Sequence, residues 1–391
     1  MKRIYLDNAA ATPLDKHVFD GMRPFLKDLF GNPSTLYEEG VVTKHAVEKA
    51  RESIADIMVA HKDEICFTGS GTESDNLAVQ GVVRASLGVY SKPHVITSSI
   101  EHPAVLETVK ILEKKGVIEA TYIGVNEKGL VDSKEVKEAL KGNTVLVSVM
   151  YANSEVGTVQ PVREIVKMVR EVRDSRNVGY PYVHTDACQA VNYLRMSVEK
   201  LGVDLMTFNG SKIYGPKGIG MLYIRRGVNI EPIVFGGGQE SGLRSGTENV
   251  AGIIGISKAL EITESIKEKE SQRLVTLRDY FMQQLEEISL GIVINGDRQK
   301  RLPNNVHITV PDIEDDVLVV ELDAKGIACS SKSACKTKAE GASHVVLAMR
   351  GEVKGSHLRF SLGRDTTKKD INYTVNALRG ILKKYKDINF Q

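Results

Sequence analysis

Between residues 65 and 224, short apolar runs alternate with stretches whose apolar residues recur every three or four positions. The runs fall at 65–68, 94–97, 118–123, 145–151, 182–185, 205–208 and 219–224. Continuous apolar runs separated by amphipathic helices mark strands buried on both faces, as in a parallel sheet covered by helices. The pattern therefore predicts an α/β unit with a mostly parallel, seven-stranded sheet. Two helices signal their starts with a first-turn proline: Pro103 precedes Val105, Val109 and Leu112, and Pro161 precedes Val162, Ile165, Val166, Val169 and Val172.

From about residue 250 the rhythm changes. Leu274, Leu277, Phe281, Leu285 and Ile288 sit at helical spacing, short strands are expected at 306–310, 327–330 and 357–361, and a last helix at 367–385. This reads as a smaller α+β domain. The expected division is a large domain over 13–255 and a small domain made of 1–12 and 256–391. No internal repeat and no Ser/Gly-rich linker interrupts it.

Composition narrows the class without adding to the fold. The 391 residues are 42% hydrophobic and 26% charged, which excludes disordered and low-complexity chains. Lys and Arg number 52 against 50 Asp and Glu, a formal net charge of +2, so nothing favours a nucleic-acid or anionic-membrane partner. The start, MKRIYLDNAA, meets Asp7 before an apolar segment can form, so no signal peptide is expected. No run of about 18 apolar residues predicts a membrane span. Four cysteines (Cys66, Cys188, Cys329, Cys335), with no CxxC pair, make neither a disulfide framework nor a zinc ribbon, and the expected compartment is the cytoplasm.

Candidate chemistry gathers at strand ends, where ligands bind in open α/β sheets. Five strands end in polar or small groups: residues 69–74 (Gly-Ser-Gly-Thr-Glu-Ser), Glu101-His102, Asn153-Ser154-Glu155, 186–189 (Asp-Ala-Cys-Gln) and 209–212 (Asn-Gly-Ser-Lys). The first opens a helix and reads either as a phosphate cradle or as a plain loop with an N-cap threonine. It matches neither the P-loop nor GxGxxG. Asp186 and Lys212 end neighbouring strands. Together they form either a structural ion pair or the carboxylate and Schiff-base amine that hold pyridoxal phosphate as an electron sink. Cys335 lies in a small polar segment with Lys332 and Lys336 on either side, and nearby cations favour the nucleophilic thiolate. Arg359, on an apolar strand, needs an anionic partner, for which a substrate carboxylate is a natural candidate. Cys66 and Cys329 read as core residues, and a metal set of Cys329, Cys335 and His344 lacks ligand spacing.

These residues resemble the cysteine desulfurases, in the class V aminotransferase group of fold-type I pyridoxal-phosphate enzymes. The matching segments are Tyr5-Leu6-Asp7, Gly31-Asn32-Pro33-Ser34, 72–76 (Thr-Glu-Ser-Asp-Asn), Glu101-His102, His184-Thr185-Asp186-Ala187, 212–218 (Lys-Ile-Tyr-Gly-Pro-Lys-Gly), Arg244-Ser245-Gly246-Thr247, Ser333-Ala334-Cys335 and 359–363 (Arg-Phe-Ser-Leu-Gly). They run through nearly the whole chain, and the longer segment around Cys335 is similar to the NifS/IscS-like branch.

The resemblance implies a fold-type I transferase that carries pyridoxal 5′-phosphate and converts L-cysteine to L-alanine. In it Lys212 holds the cofactor covalently, Asp186 pairs with the pyridine nitrogen, and His102 stacks on the ring and assists proton transfer. Gln189 and Asn153 bond the phenolic-oxygen side. Gly71, Thr72, Asn209 and Ser211 hold the phosphate, with Thr247 reaching it from the second subunit of a homodimer. Arg359, Asn32 and Asn153 bind the cysteine carboxylate. Cys335 takes the sulfur as a persulfide and passes it to an acceptor protein, such as an iron–sulfur scaffold, for cluster assembly or tRNA thiolation. The chain departs from the family pattern at Ser211, Asn209, Lys332, Leu36 and Ser154. The rival readings are a selenocysteine lyase, an aminotransferase or epimerase of the same fold, and a catalytically silent scaffold for iron–sulfur assembly.

Overall fold

Backbone pairing gathers the seven apolar runs into one sheet. The structure, a computed structural model, describes residues 3–176, 179–288, 290–311, 313, 315–331, 343–351 and 355–388. Among them the strands are β1 (Ile4–Tyr5), β2 (Ile65–Thr68), β3 (His94–Ser98), β4 (Glu119–Ile123), β5 (Thr144–Ser148), β6 (Tyr182–Asp186), β7 (Leu205–Asn209), β8 (Gly220–Ile224), β9 (Val293–Ile294), β10 (Asn305–Val310), β11 (Ile327–Ala328) and β12 (Ser356–Ser361). The central sheet has the order β2-β8-β7-β6-β5-β3-β4, and only β8 runs antiparallel to its neighbours. The expected seven-stranded, mostly parallel sheet is what forms.

Successive side chains along these strands enter different cores, because a strand alternates its faces. Val183, Met206, Met221 and Tyr223 join one apolar cluster, while Tyr182, Leu205 and Leu222 join another on the opposite face. The helices that cover the sheet start as the sequence indicates. Pro103 opens the helix Pro103–Lys114, and the helix Val162–Arg176 follows Pro161 and buries Val162, Ile165, Val166 and Val169. The run 145–151 is only partly strand. Beyond Ser148 the chain continues alongside β6, with Val149 N–H on the His184 carbonyl and Tyr151 N–H on the Asp186 carbonyl, before it turns away at Asn153.

One helix, Val250–Glu286, joins the two halves of the chain. Its first turns pack Ala251, Ile253, Ile256, Ala259 and Leu260 into the sheet's core. Its later turns put Leu274, Phe281, Met282 and Leu285 into a separate core with Val306, Ile308, Leu358, Phe360, Leu378 and the N-terminal Leu6. Above that core β9, β10 and β12 form an antiparallel sheet, and β1 pairs in parallel with β11. Leu6 is thus buried in the second core although it lies hundreds of residues away in sequence.

Phe281 and Phe360 meet edge to face, ring centres 5.2 Å apart, and both are fully buried. Phe281→Ala is expected to cost about 3–5 kcal/mol through lost contact and a residual cavity. Urea unfolding should show the midpoint falling accordingly, with Phe281→Leu falling less than half as far.

Candidate active site

The carboxyl ends of β2, β3, β5, β6 and β7 open onto a cavity of about 250 Å³. Its wall includes Gly71, Thr72, His102, Asp186, Gln189, Asn209, Ser211, Lys212 and Arg359, so nine of the residues singled out in the sequence come together there. Ala9 and Ala10 of the N-terminal segment close one side, and the Lys212 amine donates to the Ala10 carbonyl. A larger cavity, about 460 Å³, is lined by Arg3, Tyr5, Tyr214 and Arg364 among others and holds none of those nine.

The glycine-rich turn after β2 does open a helix, Gly71–Ser86. Its cap is Ser70, whose hydroxyl accepts from Glu73 N–H at 3.1 Å, and not Thr72. The amides of Gly71 and Thr72 fall in the first turn, which has no intrahelical acceptors, so they suit an anion. A Cβ at position 71 would lie 2.8 Å from Asn209 Nδ2 and 2.9 Å from Cys188 Sγ, so only glycine leaves this floor open. Ser211 donates to Asn209 Oδ1 at 3.0 Å, which holds both phosphate candidates in one place.

Asp186 ends β6 and accepts from Cys188 N–H at 2.8 Å. Asp75, one turn beyond Gly71 on the same helix face, also lines the cavity. Ligand atoms of Asp75, His102 and Asp186 lie within 4.8 Å of one another. Burial and the Asp186 charge push the Asp75 carboxyl well above the usual carboxylate range. Behind them His184 is fully buried between the Ser148 and Thr207 hydroxyls, and burial lowers its pKa to about 4. His102 caps its helix by accepting from Ala104 N–H on Nδ1, at 3.1 Å, which leaves Nε2 as the protonated nitrogen of the neutral ring. Its neighbour Glu101 accepts from Ser98 at 2.5 Å and from Met150 N–H at 3.0 Å, and burial raises its pKa to about 8.

Three expected residues lie elsewhere. The Asn153 side chain is consumed by the backbone: its amide donates to the Ile100 carbonyl, and its oxygen accepts from Glu155 and Val156 N–H. It shapes the turn after β5, and its neighbour Ser154 lines the cavity instead. Asn32 is exposed, its side-chain oxygen accepting from Ser34 N–H. Thr247 borders a different cavity with Gly69, Glu240 and Arg244. Cys335, with Lys332 and Lys336, lies outside the described residues. Sequence reasoning assigned no role to Asp75, Ser154 or Asp7. For Asp75 the signal was available, since its four-residue spacing from Gly71 puts both on one helix face.

This donor set fits pyridoxal phosphate: a glycine floor under free helix amides for the phosphate, a buried carboxylate for a ring nitrogen, and an amine in reach. Residues 4–374 match the aminotransferase class-V family. The chain belongs to that family, in its cysteine desulfurase branch. It is 45% identical over 392 residues to cysteine desulfurase IscS of Dictyoglomus turgidum, covering 100% of this chain and 97% of the relative. Among solved structures, a NifS-like protein superposes with a TM-score of 0.90 at 35% identity, covering 98% of this chain and 100% of its own. SspA in complex with cysteine gives a TM-score of 0.77 at 33% identity, covering 92% and 99%.

Two predictions follow from this geometry. Gly71→Ala should keep the fold but weaken pyridoxal-phosphate binding by about tenfold or more; titrating apoprotein with the cofactor checks it, and unchanged affinity would remove the glycine floor from the site. The second concerns pH. Native Glu101 stays protonated up to about 8, whereas in the unfolded chain it ionises near 4.5. Its contribution is therefore best below pH 4.5 and erodes as pH climbs to 8. Glu101→Gln should flatten that slope, read as urea midpoints compared at pH 5 and pH 8.

Proposed function

We propose that this chain is a pyridoxal-phosphate-dependent cysteine desulfurase. The observation that carries the reading is the convergence of the Lys212 amine, the Asp186 carboxylate and the Arg359 guanidinium on one cavity floored by Gly71. The names of its relatives and the cysteine bound in one structural neighbour support it.

Bound there, the cofactor supplies an electron sink for negative charge at the substrate α-carbon. Asp186 would hold a proton on the ring nitrogen, and burial disfavours a second negative charge on Asp75 beside it. Gly71, Thr72, Asn209 and Ser211 would hold the phosphate, and Gln189, whose side-chain amide donates to the Ala9 carbonyl at 3.0 Å, would bond the phenolic-oxygen side. Arg359 takes the substrate carboxylate. Lys212 Nζ removes the α-proton, with His102 assisting. The Cys335 thiolate attacks the substrate sulfur. The C–S bond breaks as an S–S bond forms; the carbon skeleton keeps the electron pair, takes up a proton at Cβ and regains one at Cα to become alanine. The outer sulfur then moves to an acceptor thiol, for iron–sulfur clusters or tRNA thiolation.

The working form we propose is a cytoplasmic homodimer. Phe30, Leu36, Tyr37, Val41 and Val42 are large apolar side chains exposed in one stretch, as an interface requires. Thr247, exposed and away from its own chain's cavity, then serves the phosphate of the partner's site. The chain divides functionally into a cofactor-binding unit, 13–255, and a smaller unit, 1–12 and 256–391. Among the described residues no helix is long and apolar enough to cross a membrane.

The deciding experiment is mass spectrometry of the loaded protein after incubation with L-cysteine and no reductant. One added sulfur on Cys335, with alanine formed, is the expected result. Alanine without that adduct, or full turnover by Cys335→Ala, would overturn the reading. Lys212→Ala should lose the visible absorption of the bound cofactor together with all turnover.

A further inference from the structure

Arg359 is nearly fully buried, and most of its donors are already engaged. Nη2 donates to Asp7 Oδ1 at 2.8 Å and to Ser330 Oγ at 3.2 Å, and Nη1 donates to the Ser154 carbonyl at 3.1 Å. A guanidinium has five N–H donors. Two therefore remain, one of them on Nε, which is buried without a hydrogen bond among the described residues. Asp7 uses its second oxygen to accept from Ser330 Oγ at 2.8 Å. One carboxylate thus holds a cation from β12 and a hydroxyl from the segment after β11.

The backbone fixes this clasp on both sides. Asp7 bridges to Ser361, and Ser330 exchanges two backbone bonds with Arg359, at 3.2 and 2.7 Å. The side chains of Arg359 and Asp7 are 2% and 16% exposed, so water competes little for the pair. A long, flexible arginine held this way gives up its rotamer freedom before a ligand arrives, and prior ordering lowers the cost of binding.

We propose that Asp7 is a positioning residue for substrate recognition: by clasping Arg359 and Ser330 together it presents the remaining guanidinium donors, already oriented, to the α-carboxylate of the incoming amino acid. The inference rests on the reading of Arg359 as the carboxylate site. A bare counter-ion at position 7 makes the opposite prediction, since removing it would unmask the cation and tighten carboxylate binding.

The test uses protein loaded with pyridoxal phosphate and two thiol-blocked ligands, S-methyl-L-cysteine and its carboxylate-free counterpart methylthioethylamine, with binding read from the cofactor's visible absorption. Asp7→Asn is expected to weaken the amino acid by about tenfold and the amine by less than about twofold. With L-cysteine as substrate, KM should rise by the same factor while kcat changes less than about threefold. Ser330→Ala, which removes only the hydroxyl, should shift the amino acid alone by about threefold, and it decides the matter if Asp7→Asn does not fold. Arg359→Ala separates the two layers of the argument. If it leaves the ratio of the two affinities unchanged, the carboxylate reading of Arg359 fails. If it collapses that ratio while Asp7→Asn leaves it unchanged, or tightens the amino acid, the role assigned to Asp7 is wrong.

Discussion

The pairing of β6 with β7 is the constraint on which the site depends. Asp186 stands opposite Thr207 in that ladder, and Lys212 follows three residues after the end of β7. Parallel neighbours run about 4.8 Å apart, so an acid at the end of one strand and an amine just past the end of the next open onto the same cavity. No loop geometry has to be searched to bring them together. A one-residue slip of this ladder would turn Asp186 to the other face of the sheet, away from the cavity that Lys212 lines.

Around that pair the two cores of the chain also meet at the turn of residues 153–158. Its carbonyls receive the long side chains of the smaller unit: Ser154 from Arg359, Glu155 from Asn305 at 2.9 Å, and Val156 from Arg301 at 2.7 Å. The Glu155 carboxylate accepts from Ser343, the cap of the helix His344–Arg350. Gly157, with φ of +75°, has Asn305 within 2.6 Å of where a Cβ would sit, so the turn allows no side chain there. The cavity is therefore walled both by β12, through Arg359, and by the turn after β5, through Ser154.

Burial carries an electrostatic cost that the site accepts. Asp75 and Glu101 sit out of reach of water, and burial favours their neutral forms. The direction of both shifts disfavours further negative charge beside Asp186 at the carboxyl end of β6. The neighbouring His184, kept neutral by burial, meets the Ser148 and Thr207 hydroxyls and lies 3.6 Å from Asp75 Oδ1 without adding a competing positive charge.

The apolar rhythm of the chain determined most of the sheet by itself, because strands buried on both faces are largely apolar even where His94, Thr97, Ser148, His184 and Thr185 interrupt them, and it placed Gly71, His102, Asp186, Asn209 and Lys212 at strand ends. Motif order reached further, to Arg359 at the same pocket. What it could not determine were contacts between segments far apart in sequence. Asn153 reads as a ligand residue, yet the turn it makes consumes its amide. Residues 1–12 are expected with the smaller domain, but nothing in the pattern shows that β1 pairs with β11, buries Leu6 in the second core, joins Asp7 to Arg359 and brings Ala9 and Ala10 to the wall of the cavity. Those outcomes depend on which donors and acceptors the folded backbone leaves unpaired, and that balance exists only once the two cores are packed against each other.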